Sequence, residues 1–195
     1  MTFTREGLLT ALLVIAALFF GSYITTLIPT PDQVTSDQPF FHEVAVGETA
    51  QMRTGSVTVT EVETASQVQL FSQIAGTSGV WLVVDVEFEP IGQSTLIAGG
   101  NAVLRAVDGR TLGGTQAVTT NCGPTPPGMM VTCQLAFELP ADALEGAHLW
   151  IPAGASVNTS DDVADVDLGI DAERAAELAA TDQHLELIET TAVTK

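Results

Sequence analysis

The stretch Gly7 to Ile28, GLLTALLVIAALFFGSYITTLI, runs for 22 positions without a charged side chain. Coiled as a helix it reaches about 33 Å, the thickness of a bilayer hydrocarbon core. The sequence therefore predicts one membrane span over residues 7–28. A cleaved export signal is the alternative, but such signals carry an apolar core of only about 7 to 15 residues before a small-residue cleavage site. No Ala-x-Ala pattern closes this run, which passes through Thr25-Thr26 into Pro29. The only cysteines, Cys122 and Cys133, lie too far downstream for a lipid anchor. Both readings export the remainder of the chain.

Arg5 and the amino terminus precede the span, whereas Asp32 and Asp37 come after it and no basic residue appears until Arg53. That asymmetry predicts residues 1–6 in the cytoplasm and the main domain outside it. Pro29 and Pro31 stop the helix, and residues 29–43 read as a short Pro- and Asp-containing linker. The 195-residue chain leaves roughly 165 residues beyond the span, enough for one domain and a tail. Six Lys plus Arg against 24 Asp plus Glu give a formal net charge of -18, nearly all on the exported side. Such a surface repels nucleic acid and anionic headgroups and favours basic partners or cations.

Short alternating segments fill the domain. Glu48–Arg53 and Ser56–Glu63 flank a Thr54-Gly55 turn, while Ala65–Ser78 lacks a period and reads as a strand end or irregular connection. Val80–Glu89 carries the strongest pattern: Val80, Leu82, Val84, Val86 and Phe88 form a wholly apolar face. Trp81 lies on the other face. Asp108-Gly109 separates Ala102–Val107 from Arg110–Gly113 as a hairpin loop. In Met130–Leu139, Cys133 shares the apolar face of Val131, Leu135, Phe137 and Leu139. Two cysteines in an exported chain allow one intramolecular pairing, so Cys122 is expected to bond Cys133. Their spacing is not that of a redox-active pair.

His148–Ile151 adds another strand, giving about seven, and the expected fold is mainly β, an antiparallel sandwich over residues 44–158. Residues 159–195 read as an acidic tail with a last strand through Asp165–Ile170. Asp171 is placed to cap a short helix over Ala172–Ala180.

The runs GETAQMRTGSVTVTEVET, VWLVVDVEFEP, AVLRAVDGRTL and MVTCQLAFELP, in that order, resemble a family of exported bacterial immunoglobulin-like domains. These are the telokin-like domains, related to small secreted mycobacterial immunogenic proteins. The matching positions are Val83–Val86, Asp108-Gly109, Pro127-Gly128 and Phe137–Pro140. The likeness covers about residues 44 to 152; the tail after Asn158 has no counterpart, and EPIGQST replaces the family's Asn-rich stretch. It implies an immunoglobulin-like sandwich and an exported location, with no catalytic residues to carry over.

Catalytic motifs are absent: there is no Gly-x-Ser-x-Gly, no His-Glu-x-x-His and no phosphate-cradling glycine loop, and the single lysine is Lys195. His42, His148 and His184 are too scattered to predict a metal site or triad. No enzyme activity and no cofactor are expected. Asp165, Asp167 and Asp171 resemble a calcium loop but lack its terminal Glu; alternation on the solvent face of a strand explains the same letters. Two functional expectations remain. One is a non-enzymatic, membrane-anchored accessory subunit docked on a larger membrane complex, with Trp81 and Trp150 as interface candidates. The other is a free-standing ligand- or cation-binding module.

Overall fold

The computed structural model describes residues 5–27, 39–114, 117–157, 161–188 and 190–193. The chain divides into two compact units, Met1–Asp37 and Gln38–Lys195. In the first, helix α1 (Arg5–Leu27) is 23 residues long. Its described large apolar side chains are solvent-exposed around the whole circumference, among them Leu12, Leu13, Phe19, Phe20 and Ile24. Counting only residues whose side chains are described, no helix is long and apolar enough to cross a membrane.

The second unit is a β-sandwich with thirteen strands among the described residues. One sheet has the order β1 (Phe40–Ala45), β11 (Asp162–Asp167), β10 (His148–Pro152), β6 (Val103–Arg105), β7 (Thr111–Gly113). The other runs β12 (His184–Glu186), β3 (Gly55–Leu70), β4 (Gln73–Pro90), β9 (Val131–Leu139), β13 (Thr191–Ala192), with β2 (Thr49–Met52) also paired to β3. A small ribbon of β5 (Thr95–Ala98) and β8 (Asn121–Thr125) completes the fold.

The core lies where the apolar faces of the two sheets meet. Val80, Leu82, Val84, Val86 and Phe88 of β4 and Val131, Cys133, Leu135, Phe137 and Leu139 of β9 pack there against Leu104, Leu149, Ile151, Ala164 and Val166. Period-two alternation delivers these side chains to one face, and a slip of one residue would turn them all outward. The hairpin over Asp108-Gly109 forms as expected. Its loop is one residue longer, because Ala106 N–H bonds the Arg110 carbonyl and Gly109 takes a positive φ of 87°.

Three expectations need correction. Residues 40–43 belong to β1, not to a linker: their backbone pairs in parallel with β11 from Phe40↔Asp162 onward. The sandwich does not end at residue 158, because β11 sits inside the first sheet between β1 and β10. The expected last strand is shifted accordingly to Asp162–Asp167, with Leu168 to Ile170 beyond it. Ala65–Ser78 is no irregular connection. β3 continues to Leu70, and the chain turns at Phe71-Ser72 into β4, giving one long hairpin.

Two irregularities bend that hairpin, one between Val59 and Glu61, the other between Ala65 and Gln67. At the second, Ser66 turns its N–H to the Gln183 carbonyl, and on the opposite strand Gly79 N–H bonds Thr77 Oγ1. A side chain at Gly79 would put Cβ 2.2 Å from the Leu139 carbonyl oxygen, so only glycine fits the approach to β9.

Candidate interaction surface

The outward half of β4 begins with Trp81 and Val83. They form a second cluster with Ala65, Val68, Ala75, Val118, Ala136 and Leu187, against which Leu70 and Leu185 pack. The cover is the C-terminal segment. β12 lies parallel to the β3 edge, Leu187 N–H bonds the Gln69 carbonyl, and Ile188 N–H bonds Gln134 Oε1. Thr190 then meets the Asn121 carbonyl and Gly123 N–H before β13 reaches β9. The segment is a strap across the second sheet. Its helix α2 (Ala172–Ala179) starts as the sequence predicts, with Asp171 Oδ1 accepting from Arg174 N–H at 2.8 Å.

Beneath this strap Trp81 has no accessible surface. It cannot touch a partner, which corrects its assignment as an interface residue. Its role is to brace the β3–β4 tip, and the tip is the exposed feature. Phe71 stands there 65% exposed, with Ile74 of the same hairpin end at 57% and Ile188 of the strap at 58%. A groove of about 300 Å³ runs between Phe71 and Ile188, floored by Leu70 and lined by Thr119, Asn121 and Thr190. Phe71 is the one described non-glycine residue with positive φ, at 53°, a conformation that costs a bulky side chain energy. Gln69 Nε2 donates to the Phe71 carbonyl at 2.8 Å, and Gln73 Nε2, two residues further on, donates to the Ala117 carbonyl at 2.6 Å.

Trp150 lies on the outer face of the first sheet and is half-buried. The Phe41 ring packs on it at 4.7 Å between centroids, and Arg105 Cζ stands 4.9 Å from the ring. A shallow depression of about 330 Å³ beside it is lined by Asn101, Thr111 and Val157. Trp150 therefore keeps some accessible surface, but neighbours of its own domain occupy much of the ring.

The aspartates proposed for calcium are engaged separately. Asp165 Oδ1 lies 2.7 Å from His148 Nδ1, Asp167 Oδ1 accepts from Gly169 N–H at 2.8 Å, and Asp171 caps α2. Among the described residues no three His, Cys, Asp or Glu side chains converge as a metal would require. His42 approaches Asp162 at 3.1 Å, and His184 lies apart in β12. Asn158-Thr159-Ser160, a formal glycosylation sequon, falls outside the described residues. Cys122 and Cys133 form the expected disulfide, joining β8 to β9 across 5.3 Å between Cα atoms.

The surface beside α2 is crowded with like charge. Partial burial, then Glu61 and Asp85, raise the pKa of Glu63 above the ordinary carboxylate value. An acid whose folded pKa is raised is penalised when charged. The penalty is complete above the folded pKa and disappears below the unfolded one. Glu63→Gln is therefore expected to stabilise the domain at pH 7 by less than about 1 kcal/mol, as exposed charges do. Thermal melts from pH 7 to pH 3 should show the gain vanish as pH falls through the carboxylate range.

No family model matches the chain, and no curated protein matches it significantly. Among solved structures, it is similar to the yjhA protein of Bacillus subtilis at 16% identity, over 63% of this chain and 99% of that one, with a TM-score of 0.42. It is also similar to an uncharacterized β-sandwich protein of Clostridium difficile 630 at 10% identity, over 66% of this chain and 95% of that one, with a TM-score of 0.40.

Proposed function

We propose that this chain is a non-enzymatic accessory subunit, held in the membrane by α1 with its amino terminus in the cytoplasm. Its sandwich, of the exported telokin-like immunoglobulin kind, docks outside the cytoplasm on a larger membrane protein. The apolar tip of the β3–β4 hairpin carries this reading. Phe71 and Ile188 leave large side chains in water at one groove, Ile74 is exposed on the same hairpin end, and the backbone is braced from below by Trp81. Such clusters on monomers mark protein contacts, and an aromatic side chain at the centre of one is a frequent energetic anchor.

The anchor finds support in the 23 helical residues of α1, about 35 Å in length, whose apolar side chains face outward on every side. A disulfide suits an oxidising compartment.

Phe71→Gly tests the docking. Glycine takes positive φ without strain, so the variant removes the side chain while keeping the turn. Its melting curve should match the parent, while binding to the partner recovered from detergent-solubilised membranes weakens roughly thirtyfold, the loss of about 2 kcal/mol typical of an anchor residue. Unchanged recovery by Phe71→Gly and by Ile74→Asp would exclude the tip as the docking site.

A further inference from the structure

We infer that the opposite end of the sandwich is a lipid-facing surface, seated on the zwitterionic interface of the membrane through Phe40, Ile91, Leu96 and Met129. The inference rests on the membrane anchoring proposed for α1 and adds a second, peripheral contact to it. Backbone hydrogen bonds gather these residues at one end. Phe40 N–H bonds the Asp161 carbonyl, Ile91 N–H bonds the Thr54 carbonyl, and Gly128 N–H bonds the Pro90 carbonyl. Arg53 at the β2–β3 turn joins the group, its N–H on Asp162 and its guanidinium on both oxygens of Asp161. Leu96 enters through β5, where Thr95 pairs with Thr125 just before the Pro126–Met129 turn.

All four apolar side chains are open to solvent: Phe40 at 64%, Ile91 at 56%, Met129 at 44% and Leu96 at 43%. They come from four separate segments, so no single strand pattern accounts for their exposure. The end is also the one from which the chain leaves toward α1. Thirteen peptide steps separate Leu27 from Phe40, a fully extended reach of at most about 45 Å. In a copy held in the membrane by α1, those steps set the furthest this end can stand from the span. Apolar and aromatic side chains that meet the bilayer surface sink into the headgroup and acyl boundary.

Charge selects the lipid. A net charge of -18 repels anionic headgroups. At this end the guanidinium of Arg53 offsets Asp161, whose carboxyl it holds below the usual pKa through its hydrogen bond. A phosphatidylcholine surface meets least opposition there.

The test uses the full chain reconstituted in phosphatidylcholine nanodiscs, with a benzophenone side chain placed singly at Ile91, Met129, Val107 or Leu13. Val107, 78% exposed, lies on the β6–β7 turn away from this end, and Leu13 lies in α1. Irradiation and mass spectrometry should show lipid adducts at Leu13, Ile91 and Met129 and none above background at Val107. Adducts at Leu13 with Ile91 and Met129 at background would overturn the lipid-facing end and leave the anchor standing. Background labelling at all four positions would overturn the anchor and this surface together.

Discussion

Replacing Trp81 by alanine is expected to destabilise the domain by about 3 to 5 kcal/mol, the range for deleting a large buried aromatic. The position supports the upper part of that range. Trp81 is completely buried in a cluster of mostly small side chains, Ala65, Ala75 and Ala136 among them, whose shared backbone holds them apart across three strands. They cannot close over the space an indole leaves, so most of the cavity persists. The indole N–H finds no acceptor among the described residues, and its removal returns a small part of the loss. Urea unfolding of Trp81→Ala, Leu187→Ala and the double variant measures the coupling. The two side chains belong to one small cluster, so the double variant should cost less than the sum. Partner recovery should fall with Trp81→Ala as well, because the tip loses its brace. A cost under 1 kcal/mol would mean that the strap does not hold the hairpin.

The expectation for Trp81 shows where sequence periodicity stops. Alternation along Val80–Glu89 places Trp81 opposite the main core, and the structure agrees. What covers that face lies a hundred residues further on, in Leu185 and Leu187, which alternate with Glu186 in a stretch too short for its period to decide between a small strand and a frayed end. Their backbone becomes strand only by adding to β3, and propensity cannot announce a pairing supplied by another strand. For β11 the strand is expected but its place inside the first sheet is not, because its parallel partner β1 stands more than a hundred residues before it. Local signals fared better. Asp108-Gly109 and Asp171 act on neighbours a few residues away, and both mark their turn and cap where expected. The tip was hidden because two irregularities, between Val59 and Glu61 and between Ala65 and Gln67, break the period of the strand that leads to it.

Removing the disulfide, as Cys122→Ala with Cys133→Ala, is expected to cost about 3 kcal/mol by the loop-closure estimate for a sequence separation of 11. For a domain of this size that corresponds to a fall in melting temperature of roughly 6 to 12 °C. The loss should be uneven. β5 and β8 make a two-stranded ribbon outside both large sheets, and such a ribbon is marginal by itself. The bond fastens it to β9 in the core, so amide exchange in residues 95–98 and 121–125 should accelerate before that of β4 and β9. The ribbon also carries Asn121 and Gly123, which hold Thr190 of the strap, so loosening it should lower the protection of Leu187 as well. Both sulfurs are buried, with Cys122 at 0% and Cys133 at 3% exposure, and a reductant should therefore act only as fast as the ribbon opens. Reduction without change in either melting temperature or exchange would show that the ribbon stands without the bond. The expected result makes correct packing of the strap, and with it the tip, depend on the disulfide being formed.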